Sequence, residues 1–357
     1  MLDIARCPEC MVPEPFSQGQ VWLNNGDIVQ KLNPQARIGF TECDNLDPLF
    51  RNIGDIIGFS IEQIIVSINA RATEVYMRKL ITQEMRDMVA DRQIDPPTLA
   101  EPILAYCHIV GFGKYKFMDY RYEGSKEDYT RYLITKPFSA PLVAGAMAGT
   151  MAALLGGEHD ATYGEISPGI YEFITSWTKH SKALKEKFPI VLYDRHDGDI
   201  ELERCATCGS PKAFRDYNWR LDEGLIVNER TGRRMAILGP ESLDNLFEAL
   251  EEELGETIPE VVVEAQRRFT RTGFYALDDY ATMEEFRIGL ALRGLGNLKE
   301  LDVRRKGLYM RVENAVLYLM LTGMIQGVFE VAMDVESNVE WAISGDGDLE
   351  VEVKPKA

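Results

Sequence analysis

The sequence predicts an α+β fold made of two tandem copies of one unit, related by a pseudo-twofold axis. In each copy helices pack on an antiparallel sheet, and a cysteine knuckle comes first. Three observations carry this. A Cys-x-x-Cys pair occurs twice, as Cys7-Pro8-Glu9-Cys10 and Cys205-Ala206-Thr207-Cys208. A series of landmarks behind each pair repeats in order. Between the landmarks, helical and strand periodicities alternate in the same succession.

The landmarks fix the duplication. Cys7 falls on Cys205 at an offset of 198, and Gly26 falls on Gly224 at the same offset. Leu46-Asp47-Pro48-Leu49-Phe50 matches Leu243-Asp244-Asn245-Leu246-Phe247 at 197, and Gly111-Phe112-Gly113-Lys114 matches Gly294-Leu295-Gly296-Asn297 at 183. Gly145, Gly149 and Tyr163 match Gly323, Gly327 and Trp341 at 178. The offsets shrink in steps, as loop insertions and deletions produce. Residues 1–178 are the first repeat, 179–204 a linker and 205–357 the second repeat.

Taken in order, each copy opens with its knuckle and a short hairpin, Trp22 to Asn33 and Trp219 to Glu229, turning at Gly26 and Gly224. A first helix, Asp47 to Ile57 and Leu243 to Leu254, stops at Gly58 and Gly255. A second begins at Ser60 or Thr257, where Ser60-Ile61-Glu62-Gln63 and Thr257-Ile258-Pro259-Glu260 have the form of capping boxes. A third spans Thr98 to His108, with Met283 to Ala291 as its counterpart. Paired strands follow, Lys114 to Glu123 with Tyr129 to Thr135, and Asn297 to Arg305 with Tyr309 to Val312. Next comes a long buried helix, Ser139 to Leu155 and Ala315 to Val331. A final hairpin closes the unit, Asp160 to Ile166 with Gly169 to Trp177, and Val335 to Ala342 with Asp348 to Lys354. In the linker, Lys179, Lys182, Lys185 and Lys187 form a basic helical run that reads as a solvated face.

Charge and cysteine usage narrow the function. With 39 Lys and Arg against 57 Asp and Glu, the net charge is −18, which repels phosphate backbones and anionic membranes, so no nucleic-acid partner is expected. The N-terminus carries no basic segment followed by an apolar run, and six cysteines in 357 residues make no disulfide scaffold, so a reducing cytoplasm is expected. Pro137 to Gly157 is free of charge and long enough to cross a bilayer. Its second copy, however, holds Asn314, Gln326 and Glu330, so a buried helix with a small-residue face is expected and not a membrane span.

The knuckles are the strongest chemical signal. Two residues between cysteines let both thiolates converge on one ion, and two such pairs complete a closed tetrahedral site. Cys7, Cys10, Cys205 and Cys208 are therefore the expected ligands of one structural zinc ion, with iron as the alternative. Reduced unligated thiols or a redox pair remain the other readings. Cys43 and the four histidines, His108, His159, His180 and His196, have no counterparts in the other copy, so none belongs to a shared site.

Aromatic residues gather in the first copy around its paired strands, and the second copy is poorer there. Tyr106, Phe112, Phe117, Tyr132 and Phe138, with Met147 on the long helix, are candidate contacts for an apolar or aromatic small molecule. Strand residues of this type also serve simply as core. No nucleophile elbow, phosphate loop or His-Glu-x-x-His motif is present, and Gly111-Phe112-Gly113 opens a strand, unlike a dinucleotide loop.

A strand pair, a glycine-bearing apolar helix from Leu142 to Leu155, a polar stretch at Glu158 to Glu165, a glycine turn and a final strand together resemble the 4-vinyl reductase or hydrocarbon-binding domain. That family is similar in fold to subunits of the TRAPP tethering complex. The resemblance implies an apolar pocket between helices and sheet. The cysteine cluster that phenol-sensing members carry near the domain end is missing here, and fold alone implies no chemistry. The expected function is a small-molecule-binding sensor or carrier without enzymatic activity. Alternatives are a redox or iron-binding enzyme component, or an assembly protein. A homodimer or a protein partner is possible in each case.

Overall fold

Residues 4–178, 195–275 and 282–356 are described in the structure, a computed structural model. The first copy runs through helix α1 (Glu14–Gly19), strands β1 (Gln20–Trp22), β2 (Ile28–Gln30) and β3 (Asn33–Glu42), and helices α2 (Cys43–Ile57), α3 (Glu62–Leu80), α4 (Gln83–Ala90) and α5 (Pro96–Ile109). Strands β4 (Lys114–Arg121) and β5 (Tyr129–Thr135), helix α6 (Ala140–Leu155), and strands β6 (His159–Ser167) and β7 (Ile170–Trp177) complete it. The second copy begins with β8 (Tyr217–Arg220), β9 (Leu225–Asn228) and β10 (Arg234–Leu238), then α7 (Pro240–Leu254), α8 (Ile258–Phe269) and α9 (Met283–Leu292). It ends with β11 (Asn297–Arg304), β12 (Gly307–Glu313), α10 (Tyr318–Met333), β13 (Ser337–Ile343) and β14 (Leu349–Pro355). The chain is thus α+β and duplicated. Its two four-stranded antiparallel sheets have one topology, β4-β5-β7-β6 and β11-β12-β14-β13.

A third sheet, β1-β2-β3-β10-β9-β8, is shared by both copies. Its seam is the antiparallel pair β3–β10, in which Phe40 lies opposite Ile237, Thr41 opposite Ala236 and Gly39 opposite Leu238. At the duplication offset of 197, Phe40 and Ile237 are equivalent residues, and the flanking pairs exchange around them. The pseudo-twofold axis therefore passes through this pair. Neither seam strand was expected from the sequence. Ile38-Gly39-Phe40-Thr41-Glu42 is buried on both faces, so it shows no alternation, and β10 is only five residues long.

The copies exchange their front ends. The turn at Gly26 lies against Gly296 of the second copy, and the turn at Gly224 lies against Gly113 of the first. Gly113 donates its N–H to the Gly224 carbonyl at 2.9 Å. A Cβ on Gly224 would sit 2.0 Å from the Gly113 oxygen, and its φ of +65° also favours glycine. The indole N–H of Trp22 donates to the Leu292 carbonyl at 3.3 Å, and that of Trp219 to the Ile109 carbonyl at 3.1 Å. Each knuckle hairpin thus docks on the helix–strand corner of the other copy.

The long glycine-bearing helices are buried, as expected. Gly145 and Gly149 of α6 let its backbone touch α3, and a Cβ on Gly149 would stand 2.1 Å from the Ala70 carbonyl oxygen. Gly323 and Gly327 of α10 do the same against Val263 and Thr270. Gly149→Ala must push the two helices apart and is expected to lose about 1–3 kcal/mol, read by chemical denaturation. An unchanged midpoint would show that the backbones have room to separate. Among the described residues no helix is long and apolar enough to cross a membrane.

Helix starts differ from the expected capping boxes. α3 begins at Glu62, whose N–H meets the Ser60 hydroxyl at 3.4 Å, and Thr257 makes no side-chain cap. The residue at the third helical position does not reach back, because packing, not capping, sets these starts. The buried helices are instead capped from a neighbouring helix. Asp47 of α2 accepts from the Ala140 N–H at 3.2 Å, and its equivalent, Asp244 of α7, from the Leu317 N–H at 2.8 Å.

Burial raises the Asp244 carboxyl to about 7, against the opposing pull of the Leu317 N–H. The native state then keeps a proton that the unfolded chain releases near pH 4. This contribution to stability is complete below about pH 4 and is lost as the pH climbs toward 7. Asp244→Asn keeps an acceptor for Leu317 and removes the titration. It should melt like the parent near pH 4 and be more stable at pH 8 by on the order of 1–3 kcal/mol. Parallel Tm-against-pH curves for the two proteins would refute this.

Candidate metal centre

Each knuckle is a tight loop closed by its own backbone. The Cys7 N–H donates to the Val12 carbonyl and the Met11 N–H to the Cys7 carbonyl, both at 2.9 Å. In the second loop the Cys205 N–H donates to Ser210 at 2.8 Å and the Gly209 N–H to Cys205 at 3.0 Å. Isolated bridges between Arg6 and Pro13, and between Arg204 and Pro211, close the two loops. The loop exit needs positive φ, which Gly209 supplies at 76° and Met11 adopts at 62°. With the chain so turned, the Glu9 and Cys10 N–H groups point at the Cys7 sulfur, and those of Thr207 and Cys208 at the Cys205 sulfur.

The fold then brings the loops together across the pseudo-twofold. All four sulfurs lie within 4.8 Å of one another. Cys7 Sγ is 3.6 Å from Cys205 Sγ, and Cys10 Sγ is 3.5 Å from Cys208 Sγ. A tetrahedral zinc–thiolate site with bonds of about 2.3 Å has sulfur–sulfur edges of about 3.8 Å, so the spacing fits one ion with small adjustment. Cys7 is 2% exposed, Cys10 1% and Cys205 2%, while Cys208 is half-buried. The donor set is sulfur alone, as closed structural sites require.

The thiols are unequal. Burial works against ionisation of Cys7, but the N–H groups of Cys10 and Glu9 outweigh it and bring this thiol down to about 7. Burial dominates at Cys10 and Cys205 and pushes both up. Glu9 reaches across to the other loop, its Oε2 3.2 Å from Cys205 Sγ and 3.1 Å from the Thr207 hydroxyl. These two donors hold its carboxyl below the ordinary range.

Under the sulfurs lies a core of rings from both copies. Trp22 and Phe214 have centroids 5.2 Å apart, Phe16 and Trp219 6.0 Å, and Phe40 and Phe214 5.1 Å. Phe16 and Phe214 are themselves equivalent at the offset of 198, each nine residues beyond the first knuckle cysteine. The sequence held this signal, which the duplication alone could have disclosed.

A second feature was not foreseen. Asp27 and Arg37 pair at 2.6 Å with side chains 0% and 3% exposed, and Arg195 stands 3.3 Å from the same carboxylate. Arg37 also donates to the Asn314 carbonyl at 2.8 Å. Asp27 is replaced by Leu225 in the second copy, so the repeat pattern gives no hint of the cluster.

The six candidate ligand contacts fall into separate places. Phe112 and Phe138 stack at 4.2 Å, and Phe117 meets Tyr132 edge-on at 5.4 Å. These four and Met147 lie in or against the main core. Tyr106 is 44% exposed on α5. The two cavities described, of about 10 and 230 Å³, are lined by other residues. Cys43 and Cys107 lie outside the sulfur cluster, and burial raises both thiols to about 12. His108 accepts from the Tyr115 N–H at 3.2 Å and is a satisfied core histidine. His180 and the basic run from Lys179 to Lys187 lie outside the described residues.

No protein-family model matches the chain, and no curated protein matches it. Solved structures similar to parts of it are H-NOX domains. One, from a study of heme distortion in the H-NOX family, has 19% identity and TM-score 0.24, covering 33% of this chain and 72% of that one. A mutant H-NOX of T. tengcongensis gives 18% and 0.25, covering 34% and 75%. An oxygen-binding H-NOX domain related to soluble guanylate cyclases gives 18% and 0.23, covering 33% and 72%.

Proposed function

We propose that this chain is a non-enzymatic binding protein for an apolar or aromatic small molecule, and that one structural zinc ion staples its two copies. The observation that carries the staple is the convergence of four sulfurs, two from each copy, within 4.8 Å. Cys7, Cys10, Cys205 and Cys208 would hold the ion. A closed four-sulfur shell leaves no position for substrate, so the ion would serve stability and not catalysis. The ligand reading rests on the resemblance to the 4-vinyl reductase family and on the aromatic enrichment around β4 and β5. The identical strand order of the two outer sheets supports a common ancestral unit.

Metal analysis of the purified protein is expected to find close to one zinc per chain, without a visible absorption band. One iron with such a band would keep the site and change the ion. No metal in protein purified without chelator would remove the staple. Native mass spectrometry is expected to show a retained small apolar compound. An empty protein that binds nothing in a ligand screen would remove the ligand reading and leave the staple standing.

A further inference from the structure

The pseudo-symmetry exposes a docking site that is filled on one side only. Residues 195–200 form an extended strap between the Gly26 turn and the second copy. The Ile200 N–H donates to the Asn24 carbonyl at 2.8 Å, and Asn24 Nδ2 donates to the Gly198 carbonyl at 2.8 Å. The strap's backbone passes so close that a Cβ on Gly198 would lie 2.2 Å from the Asn24 oxygen. Its acidic end is held by three donors: Asp199 Oδ1 lies 2.6 Å from Arg287, 3.0 Å from Lys299 and 3.1 Å from Asn297. Asn314 takes the His196 N–H at 2.9 Å.

The symmetry-related surface lies beside the Gly224 turn. There Lys114 replaces Asn297, Lys116 is the counterpart of Lys299, and Lys136 replaces Asn314. The backbone match is close, since Lys136 and Asn314 have φ of 52° and 53°. All three lysines are exposed and make no ion pair among the described residues. No strap from the described residues crosses them. Asp222 and Glu223 stand where Asn24 and Asn25 hold the strap's first half. A segment running from basic to acidic, as Arg195 to Asp199 does, matches the charges at both ends.

We propose that a partner protein docks an extended segment of this kind here, its carboxylate between Lys114 and Lys116 and its backbone along the Gly224 turn. The occupied site shows how the shared framework grips such a chain. The extra lysines make the vacant site more dependent on charge than the filled one.

The probe is a fluorescein-labelled peptide of residues 195–204, titrated with the full-length protein by fluorescence anisotropy. Saturable binding that weakens with salt is expected. The Lys114→Glu/Lys116→Glu variant, shown to melt like the parent, should bind at least about tenfold more weakly, as expected for reversal of two contacting charges. Arg287→Ala, which touches only the filled site, should leave peptide binding unchanged. Absence of binding, or retention of full affinity in the lysine variant, would overturn the proposal. Loss of binding in Arg287→Ala alone would also overturn it, because the peptide would then be displacing the strap from its own site.

Discussion

Cys205→Ser is expected to lose the metal and at least about 5 kcal/mol of stability, since structural zinc supplies about 10–16 kcal/mol in zinc-finger peptides. That corresponds to a fall of roughly 10 °C in Tm at about 2 °C per kcal/mol for a chain of this size. Cys7→Ser should do the same, although its serine lies in the other copy, because the four sulfurs form one cluster. A strong chelator should bring the parent down to the melting temperature of the variants and leave the variants unmoved. The loss would be large because three remaining thiols, two of them almost wholly buried, can neither hold the ion tightly nor reach water. Variants that melt with the parent, with and without chelator, would show that the aromatic core alone holds the knuckles together.

Arg37→Met should be the next most damaging change. It leaves Asp27 charged in a site with no exposure and takes donors from the Gly294 and Asn314 carbonyls. Removing one partner of a buried pair typically costs about 3–5 kcal/mol. Arg195 remains 3.3 Å from Asp27, which places the expected loss at the lower end, about 3 kcal/mol. The double change Asp27→Leu/Arg37→Met adopts the leucine that the second copy already carries at Leu225, and should recover a substantial part of the loss. Urea titration of the parent, single and double variants reads both effects. A double variant no better than the single one would mean that the carbonyls left behind, and not the charge, set the penalty.

The sequence disclosed the duplication because its landmarks are backbone requirements. Gly26 and Gly224 must approach another chain segment, Gly145 and Gly149 must admit a helix, and Gly58 ends one, so each leaves a glycine at a fixed place. The knuckles were legible for the same reason, since thiol chemistry allows few substitutes. What escaped was decided by distant partners. β3 is buried on both sides only because β10 and two helix layers meet it. The Asp27–Arg37–Arg195 cluster joins residues far apart in sequence, and no local pattern marks them as neighbours. α4 is a short amphipathic helix, capped by Thr82 and present only in the first copy, so the repeat offered no second example. The aromatic residues near β4 were read as possible ligand contacts. Four of them turn out to meet in pairs, a distinction that composition cannot make.

The reciprocal seating of each front hairpin on the opposite copy has a consequence for how the protein comes apart. Neither half retains its own hairpin contacts once the other is gone, so there is no intermediate in which one half stays native while the other melts. Calorimetry should record a single endotherm, with van't Hoff and calorimetric enthalpies in agreement. Two separately expressed pieces, cut between residues 178 and 195, should each be incompetent alone and regain structure only when mixed.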